Sequence, residues 1–461
     1  MVLTKANHSH VRKGTLSMRS SHSLDALAVQ FDDDNAVADA GLLLPATLAQ
    51  HLGLRELFYD HVSLGDVPGR ANVGDKAMTL IASLIAGGEC IDDADALRAG
   101  ETDQVLGHWV AAPSTLGTFL RSFSFGHSRQ LDIVSSELLT RAWASGAGPK
   151  EDEPITIDVD STVCETYGLQ KQGGSKFTYN YVRGYHPLIS IVAGTGDVVR
   201  VRLRGGPSHA GRGAASFIKE TVANARAAGA TGEITIRADS GFYNHKVVAA
   251  CRRADVRFSI TVKMMGKALH QAFLAIPEKD WTPIPYVVDG AAVAEITYTP
   301  FATRKGAQPC RLIVRRVPPT PGSQLALFTQ FSYHAFITDR DGDMLTLEAD
   351  HRAHAEVENV IRDLKYGLGL NHMPSGRFGA NAAWLALNAI AHNLVRWVSR
   401  IGLEETLVMT KTMRRRYFSV PGRITTSARK DTLHLPTNWP WAERLTAALL
   451  ALRAISLPLR I

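Results

Sequence analysis

Cysteine is scarce in this sequence, and the cysteines that it has are far apart. The 461 residues include four, Cys90, Cys164, Cys251 and Cys310. No two of them form a Cys-x2-Cys pair, which argues against a structural zinc site and against a disulfide framework. Isolated thiols of this kind are typical of a protein that works in a reducing cytosol.

Long apolar runs are missing as well. The most apolar windows, residues 77–86 and 382–395, contain polar interruptions and fall short of the roughly 20 residues that a membrane-spanning helix needs. Residues near the N-terminus form no continuous apolar stretch, so we expect no signal peptide. We therefore expect a cytoplasmic protein that has no membrane partner.

Acidic residues are absent from two basic stretches near the ends of the chain. Residues 1–24 contain four Lys or Arg and residues 411–430 contain seven, and neither stretch contains Asp or Glu. The net charge of the whole chain is +7. Basic ends around a body of mixed charge suit a phosphate backbone, so Arg414, Arg415 and Arg416 are candidate DNA contacts. The alternative interpretation is an ordinary soluble basic protein.

Strand-like and helix-like runs alternate from residue 155 onwards. Three strands in quick succession predict an antiparallel meander, and two further strands follow with helices between them. These five runs are Ile155–Val163, Leu188–Ala193, Val198–Leu203, Glu233–Ala238 and Arg257–Val262. Residues 280–338 are again rich in strands and interrupt this order. The pattern predicts an α/β fold with a mixed sheet and a β-rich insertion.

Residues before position 146 differ in character, because their apolar residues recur at helical spacing. A Gly- and Pro-rich stretch at residues 145–150 predicts a linker after them. The helix predicted from Pro113 carries Ser, Thr and Arg on its polar face, which suits a DNA groove, although any single helix here is more often an ordinary packing helix. On a basic chain we interpret this region as a DNA-binding domain. The predicted boundaries are 1–25 for a basic flexible tail, 26–146 for the helical DNA-binding domain, 150–264 for the first part of the core, 265–345 for the β-rich insertion, 346–400 for the last part of the core and 401–461 for a basic C-terminal region.

In two of the predicted strands, the apolar run ends at an aspartate. Asp160 follows the alternating apolar residues Ile155, Ile157 and Val159, so it points to the opposite face of its strand. Asp239 ends the second of these strands, directly before a Ser-Gly turn. A lone aspartate at such a position is most often a cap or a turn residue. A carboxylate beside a glycine turn is also well placed to meet a metal ion and a phosphate.

A third carboxylate lies on a helix predicted over residues 348–366. Glu358, Arg362 and Lys365 are spaced i, i+4 and i+7, so they share one helix face. Alone, this spacing indicates a solvated face that a Glu–Arg pair stabilises. Glu356 is the competing candidate and lies about 200° from Glu358 around the helix, so both cannot point into one site.

Three carboxylates from distant parts of a basic chain are the ligand set of a two-metal phosphoryl-transfer site. The candidate metal ligands are Asp160, Asp239 and Glu358. Their oxygen atoms suit Mg²⁺, for which Mn²⁺ can substitute. Arg362 and Lys365 are candidates for holding the scissile phosphate or its neighbour.

Taken in order, these residues resemble a known family. The chain is similar to the DDE transposases of bacterial insertion sequences, within the group that carries a Tyr-Arg-Glu-Lys signature, and most of all to insertion-sequence family 1380. The resemblance spans nearly the whole chain. The matching motifs are Asp160-Ser161-Thr162, Gly184-Tyr185-His186-Pro187-Leu188, Asp239-Ser240-Gly241-Phe242, Glu358-Asn359 with Lys365, Asn381-Ala382-Ala383-Trp384, Ala391-His392-Asn393-Leu394 and Pro421-Gly422-Arg423.

The resemblance implies a ribonuclease-H-like core that a β-rich insertion interrupts ahead of the last catalytic helix. It implies Asp160, Asp239 and Glu358 as the catalytic triad and Lys365 as the signature lysine. It also implies metal-dependent cleavage and strand transfer at the inverted-repeat ends of an insertion sequence, with those ends and the target DNA as partners. Because two ends must be joined, we expect a homodimer, at the bacterial nucleoid. Trp281, in the insertion, is a candidate for stacking on a displaced base, although a tryptophan is more often part of a core.

The chain departs from the signature at two positions. The signature has Tyr and Arg seven and four residues before the glutamate, where this chain has His351 and His354. These histidines extend the helix face of Glu358 and become candidate DNA contacts in place of the signature residues. The departure keeps open a second interpretation, a catalytically inactive DNA-binding protein of transposon origin. A third is a metal-dependent hydrolase of a small phosphoester, against which the basic ends and the helical N-terminal region argue.

Overall fold

The computed structural model describes residues 24, 27–65, 70–168, 171–178, 180–263, 267–285, 288–319, 331–405 and 408–456. The chain divides into two units, Met1–Asp34 and Asn35–Ile461, and every element below belongs to the second. The predicted basic tail, residues 1–25, lies outside the described residues apart from Leu24.

Helices and strands alternate through most of the described chain. The helices are α1 (Leu43–His51), α2 (Leu54–His61), α3 (Val73–Ala86), α4 (Thr102–Leu106), α5 (Pro113–Arg121), α6 (Phe125–Ala142), α7 (Ala214–Ala227), α8 (His245–Arg253), α9 (Lys267–Leu274), α10 (Met344–Arg352), α11 (Val357–Gly367), α12 (Phe378–Trp397), α13 (Thr410–Met413) and α14 (Ala442–Arg453). The strands are β1 (Ala36–Val37), β2 (Ile155–Ser161), β3 (Cys164–Glu165), β4 (Lys176–Phe177), β5 (Arg183–Tyr185), β6 (Leu188–Val192), β7 (Val198–Arg202), β8 (Ile234–Ala238), β9 (Arg257–Thr261), β10 (Thr282–Pro283), β11 (Ala292–Tyr298), β12 (Cys310–Val317), β13 (Ser332–Thr338), β14 (Gly422–Ser427) and β15 (Lys430–His434).

A large mixed sheet forms the centre of the fold, which confirms the predicted α/β class. Across the described ranges it has nine strands, in the order β10-β11-β12-β13-β9-β8-β2-β6-β7. β2, β6 and β7 are antiparallel neighbours, as the predicted meander requires, whereas β8 and β9 run parallel to β2. All five residues of β8 are buried, as expected for a strand with both faces covered. Each of the five strands predicted from residue 155 to 262 is confirmed to within two residues.

The predicted β-rich insertion continues this sheet. β10, β11, β12 and β13 pair antiparallel in succession, and β13 pairs with β9 through Phe336 opposite Thr261. An uncovered edge on β9 would leave a row of unpaired backbone groups, and β13 satisfies them. The strands of the insertion are therefore joined to the core by backbone hydrogen bonds.

The helix α12 lies at the centre of the helical layer. Seventeen of its twenty residues are buried, so it is enclosed on all sides. It contacts α3, α5, α6 and β7. Asn393 donates to the carbonyl of Val198 at 2.9 Å and accepts from its N–H at 2.8 Å, which covers backbone groups of the edge strand β7. One cluster of buried apolar residues extends from Val37 to Leu452, so the N-terminal helices share their core with the sheet.

The predicted linker is fixed in place by its neighbour Trp143. This side chain is buried, and its Nε1 donates to Oδ2 of Asp197 at 2.9 Å. Asp197 also pairs with Arg400, just after α12.

In the part of the chain that the structure describes, no helix combines the length and the apolar character that crossing a bilayer requires.

The Asp197→Ala variant tests this connection. Asp197 is buried, so its loss leaves the Trp143 N–H without this acceptor and the Arg400 guanidinium without this carboxylate. We expect the free energy of unfolding to fall by about 3 kcal/mol, as for other broken buried pairs. Urea denaturation measures the change. Asp95→Ala, which removes an exposed i,i+3 pair with Arg98, is the control and should change stability by less than about 1 kcal/mol. Equal effects of the two substitutions would contradict the assignment.

Candidate active site

The first two candidate carboxylates lie at the carboxyl ends of neighbouring strands. Asp160 is the next-to-last residue of β2, and Asp239 directly follows β8. The two strands are parallel, with Val159 opposite Ala238, so the aspartates stand at the same level of the sheet. The alternation of β2 buries Val159 and leaves Asp160 partly exposed at the opposite face.

The turn after Asp239 requires a glycine. Asp239 caps the 3-10 helix Ser240–Phe242, and its Oδ1 accepts from the backbone N–H of Gly241 at 3.0 Å. A Cβ on Gly241 would lie 2.8 Å from Cβ of Ala210 and 3.1 Å from Oδ1 of Asp239. The Ser-Gly sequence therefore holds the carboxylate at the end of its strand.

The third carboxylate comes from α11. Glu358 is exposed on the first turn of this helix, and with Asp160 and Asp239 it lines a cleft of about 760 Å³. The three acidic residues that the sequence analysis selected are thus brought to one cleft from three distant parts of the chain. The same cleft is lined by His354 and Lys263.

Residues 348–366 are helical as predicted, but they do not form one continuous α-helix. A 3-10 segment, Ala353–Glu356, separates α10 from α11. Because a 3-10 turn is wound more tightly than an α-turn, the helix faces before and after it are not continuous. Glu356 lies in this segment and lines a second cavity beside Arg237, whereas Glu358 lines the cleft.

A buried ion pair fixes the ring of His354 at the cleft. Nδ1 of His354 lies 2.7 Å from Oδ1 of Asp158. Asp158 in turn accepts from Nε and Nη2 of Arg237 at 2.6 and 2.9 Å, and both residues are buried. A carboxylate paired with a guanidinium accepts hydrogen bonds only, so Nδ1 of His354 carries the hydrogen. Nε2 is then the ring nitrogen that remains for interactions in the cleft.

Burial and the neighbouring charges of the cleft shift the pKa of Asp160. The pKa of Asp160 is raised to about 6, mainly by burial and also by the negative charges of Asp239 and Glu358. The backbone N–H of Ser161 and the charge of His354 act in the opposite direction and lower the pKa. Carboxylates that interact in this way store mutual repulsion, which a cation between them relieves.

Comparison with known proteins identifies the family. A sequence model of the family described as Transposase DDE domain group 1 matches residues 20–457. The chain belongs to this family. No curated protein matches the transposase chain. A solved structure described as the cryo-EM structure of piggyBac transposase synaptic complex with hairpin DNA is similar at 10% identity and a TM-score of 0.45, covering 83% of this chain and 80% of its own.

The donor chemistry of the transposase cleft fits a divalent metal ion. Three carboxylates offer the oxygen atoms that Mg²⁺ prefers. In the described residues and in the conformation shown, no three His, Cys, Asp or Glu side chains are close enough to hold one ion. One oxygen of Asp160 accepts from the N–H of Ser161 at 2.6 Å, and one of Asp239 accepts from Gly241. Each of these carboxylates keeps a second oxygen that is not used in these two hydrogen bonds.

Two further candidates on the predicted face of Glu358, His351 and Lys365, have partners inside the transposase. The ring of His351 stacks on Phe336 at 4.0 Å, and its two nitrogens lie 2.8 and 2.9 Å from the hydroxyls of Ser259 and Thr261. Burial lowers the pKa of His351 to about 3. This placement argues against the predicted DNA contact of His351 and favours a role in fixing α10 on β9. Lys365 donates to the carbonyl of Val163 at 2.7 Å, just beyond β2.

Two predicted DNA contacts lie among internal residues. Trp281 is buried, and the guanidinium of Arg316 lies 4.4 Å from its ring centroid, so the core interpretation of this tryptophan is favoured over base stacking. Arg414 donates to the carbonyls of Ile85 and Gly367, where it caps the carboxyl ends of α3 and α11. Both placements have the same physical reason, which is that each side chain is used to hold two elements together.

The remaining basic candidates have accessible side chains. Arg362 and Arg415 are exposed, and Arg416 is partly exposed with its guanidinium 6.0 Å from the ring centroid of Trp441. The structure adds Lys263 and His186 to the cleft, neither of which the sequence analysis selected as a site residue. His186 lies within the Gly184–Leu188 motif, which was the only signal for it, and Lys263 has no local signal because it simply follows β9.

The stability of the Asp160→Asn variant tests whether the folded state disfavours the ionised form of Asp160. The folded-state pKa of Asp160 lies above its ordinary value of 3.8, so protonation stabilises the fold below that value, and this contribution is lost as the pH rises through about 6. Without divalent metal, we expect Asp160→Asn to be more stable than the wild type at pH 7.5 and the difference to shrink at pH 4.5. Urea denaturation at both pH values measures it.

The matched control for this experiment is Asp255→Asn. Asp255 is exposed and has a left-handed φ of 51°, a conformation that asparagine also tolerates. Its substitution measures the effect of an Asp-to-Asn exchange outside the cleft. A difference between Asp160→Asn and wild type that does not vary with pH would show that the fold does not disfavour the ionised form of Asp160.

Proposed function

We propose that this protein is an active transposase that cleaves DNA at the inverted-repeat ends of an insertion sequence and transfers the freed strands, by cut-and-paste transposition. One observation carries the proposal: in a chain of the DDE transposase family, Asp160, Asp239 and Glu358 line one cleft. The charge coupling between Asp160 and the other two carboxylates supports their joint role.

The strand order supports a ribonuclease-H-like catalytic core. Three antiparallel strands, β7, β6 and β2, are followed by β8 and β9 parallel to β2, and the two aspartates follow the adjacent strands β2 and β8. Ligand sites of α/β sheets lie outside the carboxyl ends of such strands. The β-rich insertion, between β9 and α10, precedes the helix that carries Glu358.

In the proposed site, Asp160, Asp239 and Glu358 hold Mg²⁺, for which Mn²⁺ can substitute. Two such ions, when bound, activate the attacking oxygen and stabilise the leaving oxygen. The protein supplies the positioning. His354 presents Nε2 to the cleft, because Asp158 holds Nδ1. Lys263, which is exposed at the cleft, adds positive charge for the scissile phosphate, and Arg362 on α11 does so for a neighbouring phosphate.

The proposed partners follow from the reaction. Water attacks the 3′ side at each element end, and the freed 3′-OH then attacks the other strand or the target DNA. Because two ends must be cut and joined together, we propose that the active complex is a homodimer. The net charge of +7 supports binding to the phosphate backbone. We further propose that the element is a bacterial insertion sequence of family 1380 and that the protein acts at the nucleoid.

Substitution of the carboxylates tests the proposal. Asp239→Asn and Glu358→Gln should each lower Mg²⁺-dependent cleavage of labelled element-end DNA by more than about 100-fold, since even outer partners of metal ligands contribute 10–100-fold. Mobility-shift measurements should show unchanged DNA binding. Mg²⁺ should raise the melting temperature of the wild type and not that of either variant, which reports metal binding independently of cleavage.

Glu356→Gln is the matched control, because Glu356 is exposed two residues before Glu358 but lines a different cavity. It should cleave like the wild type. Cleavage that persists in Asp239→Asn or Glu358→Gln would overturn the triad. DNA binding without cleavage by the wild type would favour an inactive DNA-binding descendant, and affinity that does not fall with rising salt would favour a small phosphoester as substrate.

A further inference from the structure

Three aromatic side chains are exposed to solvent on one small substructure beside the catalytic cleft. Tyr167, Phe177 and Tyr181 are 75%, 62% and 87% exposed. They lie on or next to a small sheet of the strands β3, β5 and β4, in that order along the described ranges. Single exposed apolar residues are normal on protein surfaces, but three exposed aromatic rings among the described residues of one fifteen-residue stretch are unusual.

This small sheet is anchored firmly to the rest of the fold. Tyr185 of β5 is buried, its hydroxyl donates to the carbonyl of Gln172 at 2.6 Å, and its ring meets Phe378 of α12 edge-on at 5.8 Å. The N–H of Gln172 donates to the carbonyl of Gly376 at 2.8 Å. The turn after β4 is closed by Thr178, whose hydroxyl donates to the carbonyl of Val182 at 2.8 Å. The exposed rings therefore project from a fixed support.

Phe177 belongs both to this small sheet and to the lining of the cleft that contains the candidate carboxylates. Phe177 and Thr178 line the same cleft as Asp160, Asp239 and Glu358. Phe177 pairs with Arg183 across β4 and β5, and the guanidinium of Arg183 lies 5.4 Å from the centroid of its ring. An aromatic ring with an arginine beside it at the mouth of an acidic cleft offers two flat surfaces to a planar ligand.

The charge around the rings indicates an anionic partner. Residues 164–185 contain the basic residues Lys176 and Arg183, a further lysine, Lys171, that donates to the carbonyls of Met373 and Ser375, and a single acid, Glu165. Lys176 is exposed next to Phe177. Aromatic rings interleaved with cations are the surface on which single-stranded nucleic acids bind, because each base has a flat face and each nucleotide a negative charge.

We propose that Phe177 and Tyr181 form a stacking platform for unpaired bases of the DNA strand that enters the catalytic cleft. This inference rests on the proposed function and deepens it, since it names unpaired DNA at the strand end as the form that the cleft recognises. A paired duplex does not offer this contact along its length, because its bases are already stacked on one another. Stacking does not depend on base identity, so the platform accepts any terminal sequence.

The test compares two DNA probes of random sequence in the presence of EDTA. One is a blunt duplex, and the other is the same duplex with a single-stranded extension that carries a fluorescent base analogue. We expect the wild type to bind the extended probe more tightly and to quench the analogue. Phe177→Ala and Tyr181→Asn should weaken binding of the extended probe by about tenfold, the size of one lost stack, and leave blunt-duplex binding unchanged.

The controls separate stacking from folding and from general surface effects. Phe177→Trp keeps a ring and should retain both the affinity and the quenching. Asparagine replaces Tyr181 because this residue has a left-handed φ of 61°, which asparagine tolerates. Phe125→Ala is the matched surface control, since Phe125 is 71% exposed with Arg129 6.0 Å from its ring centroid but belongs to α6 and does not line the cleft.

Each other outcome overturns the inference. If Phe177→Ala binds both probes like the wild type, or weakens both equally, the platform does not recognise unpaired bases although DNA binding stands. If Phe177→Ala instead abolishes self-association, the rings form an interface with a second copy of the chain. If the wild type binds neither probe, the proposed function itself fails, and this result is distinct from the others.

Discussion

The buried ion pair between Arg237 and Asp158 is the interaction on which the site depends. It joins β8 to β2, the two strands that end at the candidate aspartates, with both hydrogen bonds shorter than 3.0 Å. Nη1 of the same guanidinium donates to the backbone carbonyl of Asp350 in α10, and Asp158 also holds His354. Since an unpaired buried charge costs roughly 3–5 kcal/mol, neither partner can leave without disturbing the other elements. One guanidinium thus sets the position of two strands and of the segment that leads to Glu358.

The sequence predicts those parts of the site that follow from local periodicity. Asp160 and Asp239 were found because apolar strands with a period of two end directly at them, and the strands themselves are confirmed. The Arg237–Asp158 pair was not predicted, because its partners are 79 residues apart in sequence and meet only in the sheet. The 3-10 segment at Ala353–Glu356 was missed because Ala-His-Ala-Glu contains neither Gly nor Pro to mark a break. Because of this break, His351 contacts β9, whereas His354 lines the cleft.

The sequence says least about how the helical and the strand-rich regions pack together. Helical and strand-rich stretches differ clearly in sequence, but one apolar cluster extends from Val37 to Leu452. A helix such as α12, buried on nearly every side, belongs to both layers at once. In the same way, β13 joins the insertion to β9, since the edge of a sheet needs a partner. The local sequence does not indicate which strand provides that partner. Local pattern identifies the elements, whereas the pairing between them is decided by burial across long distances.

The order in which the three carboxylates occur along the chain has a consequence for synthesis. Asp160 and Asp239 emerge from the ribosome first, and the whole insertion must follow before Glu358 appears. At typical rates of about 5–20 residues per second, that interval lasts several seconds, and α12, which completes the core, comes later still. A partly synthesised chain therefore carries two of the three acids and no finished cleft. Under the proposed function, no DNA cleavage can begin until translation is nearly complete.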